Sequence, residues 1–178
     1  MLKYLVLILF IFSSSKIFSL EVTLTQGSIK PTPIAITNLY SNKENFEKIG
    51  KNISSVISDD LERSGLFIPL DKKAFIQTNK SLSDQPRFED WKVIKAQHLV
   101  SGVINGSNGK ISVEFRLYDV FQQKQLVAKK YETNEKNWRR VAHIIADSVF
   151  KNITGEGGYF DTRIVYVAET GPKENKQK

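Results

Sequence analysis

A few groups in this chain are of types that do chemistry, and their spacing decides what each can do. Asp59 and Asp60 are adjacent carboxylates. Two carboxyls acting on one bond flank it, whereas neighbours on a helix point about 100° apart, so the pair reads as a solvated helix end. His98 and His143 are the two histidines, and neither has a second His, Asp or Glu at a spacing that closes a metal site. Gly155-Glu-Gly-Gly158 lacks the lysine of a phosphate loop and follows a helical pattern instead of opening one. Gly155, Gly157 and Gly158 therefore read as a hinge. Trp138-Arg139-Arg140 mixes aromatic and basic groups as nucleic-acid surfaces do, but Trp138 falls on an apolar helical stripe. Asn52-Ile-Ser and Asn152-Ile-Thr have glycosylation spacing and lie in helical patterns. The absence of cysteine excludes disulfides, thiol nucleophiles and thiolate metal sites. No catalytic set, metal or cofactor is expected.

The elements that would position these groups are organised around residues 99–132. Ile111, Val113, Phe115 and Leu117 alternate with Ser112, Glu114, Arg116 and Tyr118, the pattern of a half-buried strand. Strand-like runs flank it, and Asn108-Gly109 marks the first hairpin. The result is a three-stranded antiparallel meander with one apolar face. Ahead of it, Pro33–Leu39, a helix over residues 45–64 and Leu66–Leu70 read as a βαβ unit. Ser41-Asn42 is placed to cap that helix, Gly65 to end it, and Pro69 to keep its strand at an edge. Phe46, Ile49, Ile53, Val56, Ile57 and Leu61 form the helix's core stripe. Residues 72–85 read as a loop and Phe88–Ala96 as a short helix. A second long helix, 135–153, turns Trp138, Val141, Ala142, Ile145, Val149 and Ile153 inward, with Lys136, Arg140, His143, Asp147 and Lys151 on a wet stripe. The expected fold is α/β: a mixed sheet with a βαβ unit and a meander, two long helices on one face.

The ends differ from the middle. Residues 1–19 carry an early Lys3, the apolar run Tyr4–Phe12 and then SSSK. That run is too short to span about 30 Å of hydrocarbon and fits a secretory signal. Residues 20–32 form an extended tail in which Val22 and Leu24 alternate with Thr23 and Thr25. Residues 33–154 make the domain and 155–162 the hinge. Residues 163–178 bring one more strand, Arg163–Ala168, and a polar end. Of the formal charge of +7, Lys3 and Lys16 carry two and the last six residues a further two, which leaves +3 on the folded part. That weak excess argues against a nucleic-acid partner.

Two stretches are specific enough to carry a resemblance. Residues 58–71, SDDLERSGLFIPLD, resemble the helix-to-strand junction of the N-terminal domain in the TolB family of the Tol–Pal system. Residues 146–167, ADSVFKNITGEGGYFDTRIVYV, are similar to that family's passage into its C-terminal propeller. The resemblance implies a non-enzymatic periplasmic adaptor that supports outer-membrane integrity and invagination at division. It implies that the mature N-terminus, here Glu21, Val22, Thr23, Leu24 and Thr25, binds the TolA C-terminal domain by strand addition. Pal docks on the family's propeller, so Pal binding is expected only if the propeller, here truncated at its first strand, is supplied. No membrane span is expected in the mature chain. A free-standing envelope regulator of a cell-wall synthase or lipoprotein is the alternative, and a nucleic-acid module ranks below it.

Overall fold

A computed structural model describes residues 30–77 and 85–162. The expected signal segment, the residues Glu21–Thr25 and the strand 163–168 lie outside the described residues. Five strands form one mixed sheet in the order β2-β1-β3-β4-β5. They are β1 (Thr32–Ile36), β2 (Phe67–Pro69), β3 (His98–Ser107), β4 (Lys110–Asp119) and β5 (Lys124–Asn134). Helix α1 (Glu44–Arg63) joins β1 to β2, α2 (Phe88–Val93) precedes β3, and α3 (Trp138–Thr154) follows β5.

β1 pairs in parallel with both β2 and β3, which is the expected βαβ unit. β2 stands at the edge and ends on Pro69, where a missing N–H costs the ladder nothing. The meander also stands as read. Asn108 and Gly109 both have positive φ, 51° and 73°, and Ser107 faces Lys110 across them. This is the two-residue turn whose twist matches that of the strands. Ile111, Val113, Phe115 and Leu117 are buried against the apolar stripes of α1 and α3, so both long helices cover one face.

The other face is not wholly polar, which corrects the expectation of a single apolar side. Ala35, Leu99, Tyr118 and Val120 form a second, smaller core under Phe88 and Trp91. Tyr118 sits at a position that alternation assigns to water, and its aromatic body is buried edge-to-face on Phe88, ring centroids 5.8 Å apart. The stretch expected as a loop contributes to this cover. Asp71 accepts the Lys73 N–H and starts a 3-10 turn, Lys72–Ala74, after which Phe75 packs on Trp91 at 5.1 Å. Gln77 Oε1 then accepts the Arg87 backbone N–H and the Trp91 Nε1–H.

Two boundaries also move. Thr32, assigned to the tail, is already in β1. Lys43, not Ser41 or Asn42, precedes the first turn of α1, while Ser41 Oγ accepts the Lys43 N–H. α1 approaches the β1–α1 link closely: a Cβ at Gly50 would meet the Leu39 carbonyl oxygen. One turn on, Ser54 Oγ accepts the Leu39 N–H at 3.1 Å and lies 2.9 Å from the Thr37 carbonyl. A glycine and a serine four apart thus let a helix dock on irregular backbone without stranding its polar groups.

Candidate partner-binding surfaces

The described chain begins at Lys30 and reaches the sheet at Thr32, whose N–H donates to Leu66 at the start of β2. Thr32 pairs with Phe67, and the Phe67 ring packs on Phe150 of α3 at 6.1 Å. Tyr159 and Phe160 close on the other sides of Phe150, at 5.7 and 5.8 Å. The described chain therefore begins at the corner where the segment after α3 is held. An aromatic cluster joins the two places.

Gly155, with φ of 82°, ends α3 in the left-handed conformation that glycine adopts freely. Beyond it the segment is tied down. Both oxygens of the Asp147 carboxylate accept backbone N–H groups, from Phe160 at 2.7 Å and Asp161 at 3.0 Å. Arg140 reaches Asp161 at 3.3 Å. A Cβ at Gly158 would collide with Asp147, so glycine there admits the close approach. Asp147 and Arg140, read as members of a wet stripe, in fact face this strap. A Cβ at Gly155 or Gly157 would meet nothing within 4 Å.

The paired aspartates separate as the helical geometry requires, but only one is solvated. Asp59 is exposed and near Lys72, whose ammonium is held below its ordinary pKa by burial while Asp59 pulls it back up. Asp60 points the other way, is 2 % exposed, and lies 2.6 Å from His143 Nδ1 with Arg63 at 3.4 Å. The expectation of a solvated Asp60 and a wet His143 is thus corrected. α1 and α3 pack side by side, and a buried carboxylate from one meets a half-buried imidazole from the other. A carboxylate on an imidazole is the orienting half of a catalytic triad, yet among the described residues no hydroxyl is hydrogen-bonded to this ring. The pair acts as a clasp between helices. His98, the other histidine, opens β3; burial pushes its imidazole pKa down against the upward pull of Asp119.

Trp138 packs partly on the core, and the Arg139 guanidinium covers its ring at 5.0 Å. Among the described residues no group of three or more His, Cys, Asp or Glu could hold a metal ion, and no helix is long and apolar enough to cross a membrane. An open cleft of about 510 Å³ lies where the β3–β4 turn meets β5, lined by Asn105, Ser107, Lys110, Ser112, Glu132 and Asn134.

Together these features define an α/β domain with exposed strand edges, in which the start of β1 and the segment after α3 meet at one corner. Comparison with known proteins gives the family. The TolB amino-terminal domain model matches residues 20–126. The Tol-Pal system protein TolB of Pelagibacter ubique (strain HTCC1062) is 48% identical over 188 residues, covering 100% of this chain and 42% of that protein. The Tol-Pal system protein TolB of Paramagnetospirillum magneticum (strain ATCC 700264 / AMB-1) is 48% identical over 159 residues, 89% of this chain and 36% of that one. The chain belongs to the TolB amino-terminal domain family, and it spans less than half the length of these relatives. The crystal structure of TolB from Acinetobacter baumannii shares the fold, with a TM-score of 0.62 at 23% identity over 74% of this chain and 30% of that one.

Proposed function

We propose that this chain is a non-enzymatic periplasmic adaptor of the Tol–Pal system, supporting outer-membrane integrity and invagination at division. The observation that carries the reading is 48% identity along the whole chain to a Tol-Pal system protein TolB. Its recognition element is the tail, with Glu21, Val22, Thr23, Leu24 and Thr25 adding a strand to the TolA C-terminal domain. Main-chain hydrogen bonds set the register, and Val22 and Leu24 fill pockets on one face. The described chain enters the sheet at Thr32, beside the edge strand β2. Ordering each tail residue costs about 1–2 kcal/mol, which places the affinity near micromolar, about −8 kcal/mol net. Pal docking belongs to the propeller of the family and is proposed only for a protein that includes one.

Titration calorimetry of the mature chain against the TolA C-terminal domain tests this. Leu24→Pro removes a donor and an anchor, so binding falls at least tenfold while the melting temperature is unchanged. If a chain lacking residues 20–26 binds as tightly as the full one, the tail is not the recognition element.

A further inference from the structure

The two edges of the sheet are built differently. β2 offers three residues, the last a proline. β5 runs for 11 residues and, among the described residues, pairs only with β4. The direction of its backbone groups follows from the hairpin, because a two-residue turn is closed by a hydrogen-bonded pair and such pairs recur at alternate positions. Ser107 and Lys110 close the turn, so Asn105–Ser112, Val103–Glu114 and Ser101–Arg116 bond β3 to β4. The odd residues of β4 are left for β5, through Ile111–Thr133, Val113–Tyr131 and Phe115–Lys129. Ala128, Lys130 and Glu132, all exposed, therefore aim their N–H and C=O groups out of the sheet. The register shift lies at Leu117/Tyr118, opposite the first part of β5, and leaves Val127–Asn134 regular.

Charge says what fits there. Residues 124–140 carry Lys124, Lys129, Lys130, Lys136, Arg139 and Arg140 against Glu132 and Glu135, a net +4 and more than the +3 of the whole folded part. Lys130 is engaged by Glu132 at 2.8 Å and Arg140 by Asp161. Lys124, Lys129, Lys136 and Arg139 are exposed and have no ion pair among the described residues.

We infer that β5 is a strand-addition site for an extended acidic segment of a partner protein. Lysines on an edge guard it against neutral and basic strands; the same lysines, at 129 and 130 on the two faces of the strand, select a strand that carries carboxylates. A second copy of β5 would set a net +2 (Lys124, Lys129 and Lys130 against Glu132) beside another +2, and like charges facing each other across strands are destabilising. The site is independent of Glu21–Thr25 and of TolA.

The test is an amide-resolved NMR titration of the mature chain with a synthetic peptide of alternating Glu and Val, and with its Lys and Val counterpart. The acidic peptide is expected to bind and to slow exchange at Ala128, Lys130 and Glu132, and the basic one not to bind. Ala128→Pro removes an outward donor and no bond to β4, so it should weaken binding at least tenfold with the melting temperature unchanged. Should that variant misfold, the surface double variant Lys129→Glu with Lys130→Glu should weaken binding at least tenfold in its place. Equal binding of both peptides, or acidic binding without protection at the three amides, overturns the inference. So does self-association in the ultracentrifuge that Ala128→Pro abolishes, which assigns the edge to a second copy. Binding to anionic phosphatidylglycerol vesicles in the absence of acidic-peptide binding overturns it in favour of a membrane surface.

Discussion

Replacing Asp60 by alanine tests whether the contact between the long helices rests on a buried charge. Three contributions set its size. Losing a hydrogen bond to a charged group costs about 1.5–3 kcal/mol. Breaking a fully buried pair costs about 3–5 kcal/mol, but the His143 side chain is 26% exposed and that of Arg63 73%, so water takes over part of their hydrogen bonding. In the opposite direction, Asp60 lies in the last turn of α1, where a negative charge faces the negative end of the helix dipole; removing it returns about 0.3–1 kcal/mol. The net expectation is a loss of about 2 kcal/mol, which lowers the melting temperature by roughly 6–10 °C in a domain of this size. Thermal and urea unfolding of Asp60→Ala, His143→Ala and the double variant give the coupling, expected at about 1–2 kcal/mol. A solvated Asp60 predicts the reverse sign, a slight rise in melting temperature from the dipole alone. An unchanged or raised melting temperature, or a coupling within about 0.3 kcal/mol of zero, refutes the clasp.

Three further outcomes are expected. Gly50→Ala, which in an exposed helix gains about 1 kcal/mol, should here lower the urea midpoint, because the added Cβ meets the Leu39 carbonyl and the Ile104 side chain 3.1 Å away. The His98 pKa lies below its ordinary 6.5 in the fold, so the unfolded chain takes up the proton first as pH falls. The stability due to neutral His98 is complete above about 6.5 and is lost as pH drops below it, so His98→Gln should flatten the fall in urea-denaturation stability below about pH 6.5. Asp147→Ala should speed amide exchange at Phe160 and Asp161 at least tenfold while global stability falls by about 1 kcal/mol; unchanged exchange would show that the aromatic packing on Phe150 holds the strap by itself.

What the sequence disclosed and what it hid divide along one line. Periodicity reports which way a residue points on its own element, so the meander, the βαβ unit and both helical stripes were legible. It does not report which elements become neighbours. Asp60 and His143 are 83 residues apart, and each looks polar and wet on its own helix; only the packing of α1 on α3 makes them partners. Asp147 was misread for the same reason, since its partners are backbone N–H groups beyond a glycine turn. Tyr118 broke the alternation because an aromatic ring with a polar tip suits either face of a strand, and the nearby Phe88 and Trp91 decide which. The Gly50 and Ser54 contact does carry a signal in the sequence: two small residues, four apart, within a row of large aliphatics.

The tail and β5 raise the question of whether the chain could complement itself. β1 and β5 are three strand spacings apart, about 14 Å. The seven residues from Thr25 to Thr32 extend to roughly 23 Å, so reach does not forbid Glu21–Thr25 from meeting β5. Chemistry discriminates. The tail has one carboxylate, at Glu21, and no further charge before Lys30, so as a strand on β5 it would leave Lys124 and Lys129 uncompensated. A segment that carries several carboxylates satisfies β5 better. The proposed donor strand and the proposed acceptor edge are mismatched in charge, which favours a different partner for each.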